Sequence, residues 1–216
     1  MLHVEIWSDV ACPWCYVGMR RFDRAVEETG VEVDVVYRSF ELDPRVPVDR
    51  DAPPLVDYLV RKYGDAGRVQ AAHARLTSAG AELGIDFRWA GMRRANTFDA
   101  HRLLTWALET AGAPAQRALK ERLLRAYFTD GLVLTDHAVL ADLVAEVGLD
   151  VDAAREVLGS DRFGTEVRAA REEAHANGIA AVPTFVIEGE WMLQGAHETA
   201  SWVKALRHLD AQARGA

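Results

Sequence analysis

The only two cysteines of this 216-residue chain, Cys12 and Cys15, stand three positions apart. Residues with this spacing share one face of a helix, so the two sulfurs can approach closely enough to form a disulfide. Residues 2–7 alternate between apolar and polar types as a β-strand does, and residues 13–29 have the pattern of a helix that ends before Gly30. The chain therefore passes from strand to helix at the cysteine pair.

This position favours redox chemistry. The free N–H groups and the positive dipole end at the start of a helix stabilise a thiolate, which is the nucleophile in disulfide exchange. We predict that Cys12, and not Cys15, has a depressed pKa, that Cys12 attacks the substrate and that Cys15 resolves the mixed disulfide. A zinc site needs about four ligands, and the sequence has no second cysteine pair to supply them. A metal site and an inert pair are the weaker alternatives.

Composition limits the partners and the compartment. The formal net charge of −8 argues against non-specific binding to nucleic acid or to an anionic membrane. No apolar run reaches the ~18 residues that span a bilayer. Met1 is followed at once by the first strand, so we expect no signal peptide and a cytoplasmic location. Cytoplasmic thiols are kept reduced, which favours a transient, catalytic disulfide over a structural one.

The periodicity divides the chain into a split α/β core and a helical middle. A β–α–β unit opens the chain with strands at 2–7 and 31–42, and residues 43–54 form a proline-rich linker. Between 55 and 177 only helical patterns occur, before the pattern returns to strands and a last helix. The predicted middle helices cover residues 55–63, 68–83, 97–111, 114–129, 136–147, 151–158 and 160–177, and the closing elements cover 184–187, 191–194 and 198–213.

We therefore predict a thioredoxin fold (βαβ…αββα) with an all-helical insertion domain. Residues 1–44 and 166–216 would form the split thioredoxin-like domain, and residues 45–165 would form the insertion. A Cys-x-x-Cys pair at the first βα turn of such a unit is typical of thioredoxin-like redox proteins.

Four blocks of the sequence, in the expected order, resemble the FrnE-type branch of the DsbA-like thioredoxin superfamily. The blocks are SDVACPWCYVG at 8–18, FELDP at 40–44, NTFDAHRL at 96–103 and GIAAVPTFVI at 178–187. The resemblance covers nearly the whole chain. It implies a thiol–disulfide oxidoreductase or isomerase with Cys12 and Cys15 as catalytic residues.

The resemblance also implies where a substrate binds. The Val182–Pro183 bond is expected to be cis and to face the cysteine pair, which leaves the backbone of residue 182 free to pair with a substrate. The helix start at Asn96 is expected to face the site, although Asn96 followed by Asp99 also matches a helix-capping pattern. The predicted substrate-binding residues are Pro13, Trp14, Val182, Pro183, Asn96 and His101.

The helical insertion is expected to cover the cysteine pair and to form a cleft instead of an open face. Amphipathic helices with short connections must bury their apolar faces against one another and against the sheet. Trp89, Trp106 and Met92 are the apolar residues that we expect to line this cleft, with ordinary core packing as the alternative for each.

Three classes of function are compatible with these features. The first is a cytosolic thiol–disulfide oxidoreductase or isomerase that acts on protein or small-molecule disulfides and thiols. The second is a glutathione-dependent enzyme that resembles 2-hydroxychromene-2-carboxylate isomerase or kappa-class glutathione transferase, a group that typically lacks the second cysteine. The third is a non-enzymatic redox sensor or polypeptide-binding module. We expect no bound cofactor or metal, with glutathione as a potential co-substrate, and Cys15 favours the first class.

Overall fold

The structure, a computed structural model, describes residues 1–48 and 53–215, with the backbone alone for 213–215. Its sheet has four strands in the order β2-β1-β3-β4. The first two strands are parallel, and the other neighbours are antiparallel. The strands are β1 Leu2–Ser8, β2 Val33–Ser39, β3 Thr184–Ile187 and β4 Trp191–Gln194.

Eight helices lie in the described part of the chain. Only helices and one isolated bridge, between Pro54 and Arg93, occur between β2 and β3 in the described residues. The helices are α1 Pro13–Thr29, α2 Leu55–Tyr63, α3 Ala66–Ala81, α4 Phe98–Phe128, α5 His137–Glu146, α6 Val151–Leu158, α7 Gly164–Ala176 and α8 Thr199–Gly215. The thioredoxin fold with a helical insertion is therefore confirmed.

The opening unit forms as its residue types dictate. Pro13 lies at the first helical position of α1, where its missing N–H removes no hydrogen bond. Gly30 ends the helix in the left-handed region with φ 66°, a conformation that costs glycine little. β2 is shorter than the predicted 31–42, because hydrogen-bonded pairing with β1 covers only residues 33–39.

The predicted pair of helices at 97–111 and 114–129 is confirmed, because the element named α4 consists of two helical segments joined at a kink. Gly112 has φ 83° and ψ 176° inside α4, and Pro114 follows two residues later. Proline fits the first turn of the second helical half, and glycine allows the change of direction before it. Of the other boundaries, α7 starts at Gly164 and not at residue 160, because Phe163 adopts a positive φ.

One buried apolar cluster joins the sheet to the insertion. On the sheet side, Phe22 of α1 packs 5.0 Å from the ring of Trp202 in α8 and 5.4 Å from the ring of Phe185 in β3. The cluster continues into α4 through residues such as Leu103 and Leu123.

The division into domains at 45 and 165 stays a prediction. Residues 49–52 of the predicted linker lie outside the described residues. No described helix is long and apolar enough to cross a membrane.

Candidate active site

The cysteine pair lies at the junction of β1 and α1. Cys12 is the N-cap of α1, with extended φ and ψ of −98° and 112°, and Cys15 lies in the first turn. The Cys15 amide donates to the Cys12 carbonyl oxygen over 3.0 Å. Both thiols are free and buried. The short strand-to-helix turn thus brings the two sulfur-bearing residues to one place, as their spacing predicts.

The loop before β3 contacts the first cysteine. The Val182–Pro183 peptide bond is cis, in agreement with the resemblance. The Cys12 sulfur lies 3.7 Å from the Val182 carbonyl oxygen. A Cβ added at Gly18 of α1 would lie 2.9 Å from Cγ of Pro183, so only glycine allows this close approach of helix and loop.

A buried lysine from the insertion lies beneath the pair. Lys120 of α4 is 1% exposed, and its Nζ donates to the Ser8 carbonyl oxygen over 3.3 Å. Burial lowers the pKa of Lys120, although negative charge at Cys15 and Asp9 favours its protonated form. The sequence analysis missed this residue. A lysine on the apolar stripe of a predicted helix, next to Leu119 and before Leu123, was the available signal.

In the reduced pair, the negative charge of a thiolate is more favourable on Cys15 than on Cys12. Burial opposes ionisation of the Cys15 thiol, but the hydrogen bond from Cys12 and the positive charge of Lys120 lower its pKa. The same hydrogen bond, together with burial, raises the pKa of Cys12. The sequence-based prediction of a depressed pKa at Cys12 is therefore wrong for this structure. It counted the helix terminus, but neither the burial of Cys12 nor the neighbouring thiolate and lysine.

Asp9 connects the active-site turn to the rest of the fold. Its carboxylate accepts from the amides of Ala11 and Leu42, over 3.2 Å and 2.7 Å, and lies 3.3 Å from Nε2 of His101. Although burial opposes ionisation, hydrogen bonding to His101 and Leu42 lowers the pKa of Asp9. This buried carboxylate therefore ties the residues before Cys12 to the end of β2 and to α4.

Two of the predicted substrate-binding residues have structural contacts. His101 is 1% exposed and pairs with Asp9. The Asn96 side chain accepts from the Phe98 amide at 2.9 Å and donates to the Val46 carbonyl oxygen at 2.6 Å. Neither side chain lines the cavity described next. Their contact with substrate stays a prediction. The predicted N-cap role of Asn96 is wrong, because Thr97 is the N-cap of α4 and Asn96 lies one residue before it, where its side chain bonds the Phe98 amide.

A cavity of about 550 Å³ opens above the active-site turn. Cys12 lines it and Cys15 does not, so an incoming molecule meets Cys12 first. Three predicted substrate-binding residues also line it, namely Pro13, Trp14 and Val182, whereas Pro183 packs behind them against α1.

The insertion supplies much of the cavity wall, through residues of α2, α3 and the segment before α4. Trp89 lines the cavity as predicted. Trp106 and Met92 do not; both are buried core residues, 3% and 2% exposed. No cluster of three or more His, Cys, Asp or Glu side chains suited to a metal occurs within residues 1–48 and 53–215.

Comparisons with known proteins agree with this geometry. The family model described as "DSBA-like thioredoxin domain" matches residues 3–207. The probable DsbA oxidoreductase SCO1869 from Streptomyces coelicolor is similar in structure, with a TM-score of 0.88 and 36% identity over 96% of this chain and 89% of that chain.

Two more distant structures share the fold. A 2-hydroxychromene-2-carboxylate isomerase gives a TM-score of 0.70 at 16% identity, over 99% of this chain and 98% of that one. The cytosolic disulfide reductase DsbM from Pseudomonas aeruginosa gives a TM-score of 0.60 at 21% identity, over the full length of both chains.

Proposed function

Because the chain belongs to the DSBA-like thioredoxin domain family, we propose that it is a thiol–disulfide oxidoreductase or isomerase that works through Cys12 and Cys15. One observation carries this proposal: Cys12 lines the cavity, while Cys15 lies behind it on the same helical turn. An accessible sulfur for attack and an enclosed sulfur for resolution are the two parts that disulfide exchange needs.

The reaction proceeds in two exchanges. The Cys12 sulfur attacks one sulfur of the substrate disulfide, and the substrate S–S bond breaks as a mixed disulfide forms. The released substrate thiolate takes up a proton. Cys15 then attacks the Cys12 sulfur, the mixed disulfide breaks, and a second substrate thiol leaves. Two electrons pass to the substrate, and the protein is left with a Cys12–Cys15 disulfide. The reverse sequence oxidises a substrate dithiol.

Lys120 supports the second exchange. Once Cys12 is bonded to the substrate it no longer donates a hydrogen bond to Cys15, so the charge of Lys120 becomes the main stabilisation of a Cys15 thiolate. A thiolate is the attacking form. In the first exchange the proton on Cys12 has to move before attack, and the neighbouring Cys15 sulfur is the nearest acceptor in the pair.

The enclosed cavity favours a second candidate, a glutathione-dependent isomerase or transferase that holds a small electrophile beside Cys12. Such chemistry needs one thiol and not two. The position of Cys15, with its favoured thiolate, supports the exchange reaction instead. A redox sensor that changes state without turnover is the third candidate. The FrnE-type branch, the cytoplasmic location and glutathione as co-substrate remain predictions within this proposal.

Replacement of Cys15 by Ala tests the proposal. The variant is expected to accumulate a mixed disulfide at Cys12, because the intramolecular attack that releases the substrate is absent. Non-reducing electrophoresis and intact-mass measurement after incubation with an oxidised substrate detect the adduct. The Cys12→Ala variant is the matched control and is expected to form none.

Turnover separates the three candidates. The parent protein is expected to reduce a small-molecule disulfide over many cycles in the presence of a reductant. Equal turnover by Cys15→Ala and the parent would support the transferase. A single stoichiometric change of the pair without turnover would support the sensor.

A further inference from the structure

The cavity restricts what can reach the attacking sulfur. Cys12 is only 4% exposed, and it lies between the Val182 loop on one side and the insertion on the other. A disulfide on the surface of a folded protein is anchored to a bulky backbone on both sides, so it does not fit into such an enclosure. A cavity of about 550 Å³ is in the range that takes small molecules.

The wall opposite the active-site turn is apolar and incompletely packed. Helix α2 contains no buried residue, and its Leu55 and Leu59 are half-buried where they line the cavity. The indole rings of Trp14 and Trp89 line the same space. Exposed apolar surface around an enclosed space gains free energy when an apolar group fills it. The occupant is therefore expected to have an apolar or aromatic body.

Most charged groups along the cavity are already compensated. The Arg94 guanidinium pairs with Asp43 and stacks 3.9 Å above the ring of Tyr58. Asp9 is paired with His101. Burial lowers the pKa of His73, which disfavours a positive charge on its ring.

Two cations remain. Lys62, near the end of α2, and Arg68, in the first turn of α3, line the cavity and are exposed. Neither forms an ion pair with a carboxylate of the residues that the structure describes. The chain as a whole carries a net charge of −8, so two uncompensated cations beside one cavity stand out from the average surface. They create a local potential that attracts an anion and orients it on entry.

Building on the proposed function, we infer that the Cys12 cavity selects low-molecular-weight disulfides that combine an apolar or aromatic body with a carboxylate, and that Lys62 and Arg68 set this selectivity. The apolar body fills the space beside α2, and the carboxylate remains near the two cations. The reaction is the exchange described above: the reduced Cys12–Cys15 pair gives two electrons to the small disulfide, which leaves as two thiols.

Two aromatic disulfides of opposite character test this inference. The reduced protein is mixed with 5,5′-dithiobis(2-nitrobenzoate), which carries carboxylates, and separately with the neutral 4,4′-dithiodipyridine. Each second-order rate constant is divided by that of 2-mercaptoethanol, an uncharged thiol, with the same disulfide, which removes the intrinsic reactivity of the reagent. The resulting selectivity ratio, anionic over neutral, is expected to exceed one.

The double variant Lys62→Gln/Arg68→Gln is expected to lower the selectivity ratio about tenfold, since two exposed positive charges that attract the anion are removed. The matched control is Arg61→Gln/Arg75→Gln. It removes two exposed cations from the same two helices at positions that do not line the cavity, and its ratio is expected to stay within about twofold of the parent. Added salt is expected to lower the ratio of the parent and to have little effect on that of the Lys62/Arg68 variant.

A selectivity ratio that is the same in the parent and the Lys62/Arg68 variant would overturn the inference, and so would an equal loss in the control variant. Insulin serves as the folded protein with disulfides. If the reduced protein reacts faster with insulin than with 5,5′-dithiobis(2-nitrobenzoate), each relative to the reference thiol, the enclosure argument is overturned. Failure of the proposed function has a different signature: the pair would react with neither reagent, or Cys15→Ala would trap no adduct.

Discussion

At the scale of single residues, the chemistry depends on which sulfur carries the negative charge. The two thiols differ little in sequence context, but their surroundings differ. Cys12 faces the cavity, whereas Cys15 is nearer the countercharge of Lys120. A buried lysine without a carboxylate bonded to it costs free energy. The positive charge of Lys120 therefore lowers the stability of the fold, and we expect its role to be in the exchange reaction.

Replacing Lys120 by Met is expected to raise the pKa of Cys15, because a nearby opposite charge is removed. The rate of the second exchange follows the thiolate fraction of Cys15. The pH profile of this rate in the Lys120→Met variant is therefore expected to move toward higher pH. Release of the mixed disulfide is expected to be slow at neutral pH and to return to the parent rate at alkaline pH. Stopped-flow measurement of release at a series of pH values gives the profile.

Lys204→Met is the control for this experiment, because Lys204 is exposed on α8. Its profile is expected to coincide with that of the parent. A Lys120→Met profile that also coincides with the parent would show that Lys120 has no effect on the charge of Cys15.

At the scale of elements, α1 and the loop before β3 have to approach closely for the site to exist. The loop places the Val182 carbonyl oxygen 3.7 Å from the Cys12 sulfur. The contact between Gly18 and Pro183 fixes how near the loop lies to the helix. Protein interiors are packed densely enough that one added methyl group at such a contact moves its neighbours.

Gly18→Ala is expected to lower the free energy of unfolding by about 1 kcal/mol. The added Cβ meets Pro183 at 2.9 Å and Ala196 at 3.4 Å, and overpacking costs ~1–3 kcal/mol, which the helix propensity of alanine offsets in part. Urea unfolding gives the free energy. The rate of reaction with a small disulfide is also expected to fall, because the Val182 loop shifts away from Cys12.

Gly67→Ala serves as the comparison, since Gly67 is an exposed helical glycine whose nearest neighbour is the Asp65 side chain. There the helix propensity is expected to dominate, and stability is expected to stay equal or to rise. Gly18→Ala with parent stability and parent reactivity would show that the loop accommodates the methyl group without cost.

At the scale of the whole molecule, the insertion completes the sheet as well as covering the site. β2 is an edge strand, and an edge leaves backbone groups without partners. The side chain of Gln116 in α4 bonds the backbone groups of Tyr37 at this edge. Its Oε1 accepts from the Tyr37 amide and its Nε2 donates to the Tyr37 carbonyl oxygen, each over 2.9 Å. Gln116 and Lys120 lie one turn apart on α4, so the same helical segment supports the sheet and the cysteine pair.

Gln116→Leu is expected to destabilise the protein by about 2–4 kcal/mol, because two buried backbone groups of Tyr37 lose their hydrogen bonds. Gln70→Leu, at an exposed position of α3, is expected to change stability by less than about 0.5 kcal/mol. Chemical denaturation followed by circular dichroism measures both. A loss below about 1 kcal/mol in Gln116→Leu would contradict the role of the insertion in closing the sheet edge.

The order of the elements and the position of the cysteine pair follow from local sequence patterns. Alternation in residues 2–7, the glycine stop at Gly30 and the spacing of Cys12 and Cys15 are local patterns, and the physics behind them acts over a few residues. The thioredoxin fold with its helical insertion followed from that order together with the resemblance, and the family match confirms it.

The surroundings of the two sulfurs depend on contacts between residues far apart in the sequence. The Nζ of Lys120 contacts the Ser8 carbonyl oxygen across 112 positions of sequence, and Gln116 meets Tyr37 across 79. The direction of the Cys12 pKa shift is opposite to the one predicted from the helix terminus, because the hydrogen bond with the Cys15 thiol and burial raise it. The pKa of Cys15 depends in turn on burial, on the Cys12 thiol and on a distant lysine, none of which a local pattern contains. Trp106 was likewise assigned to the cleft and lies in the core, since which face of a helix meets which neighbour is fixed by packing among elements far apart in the chain.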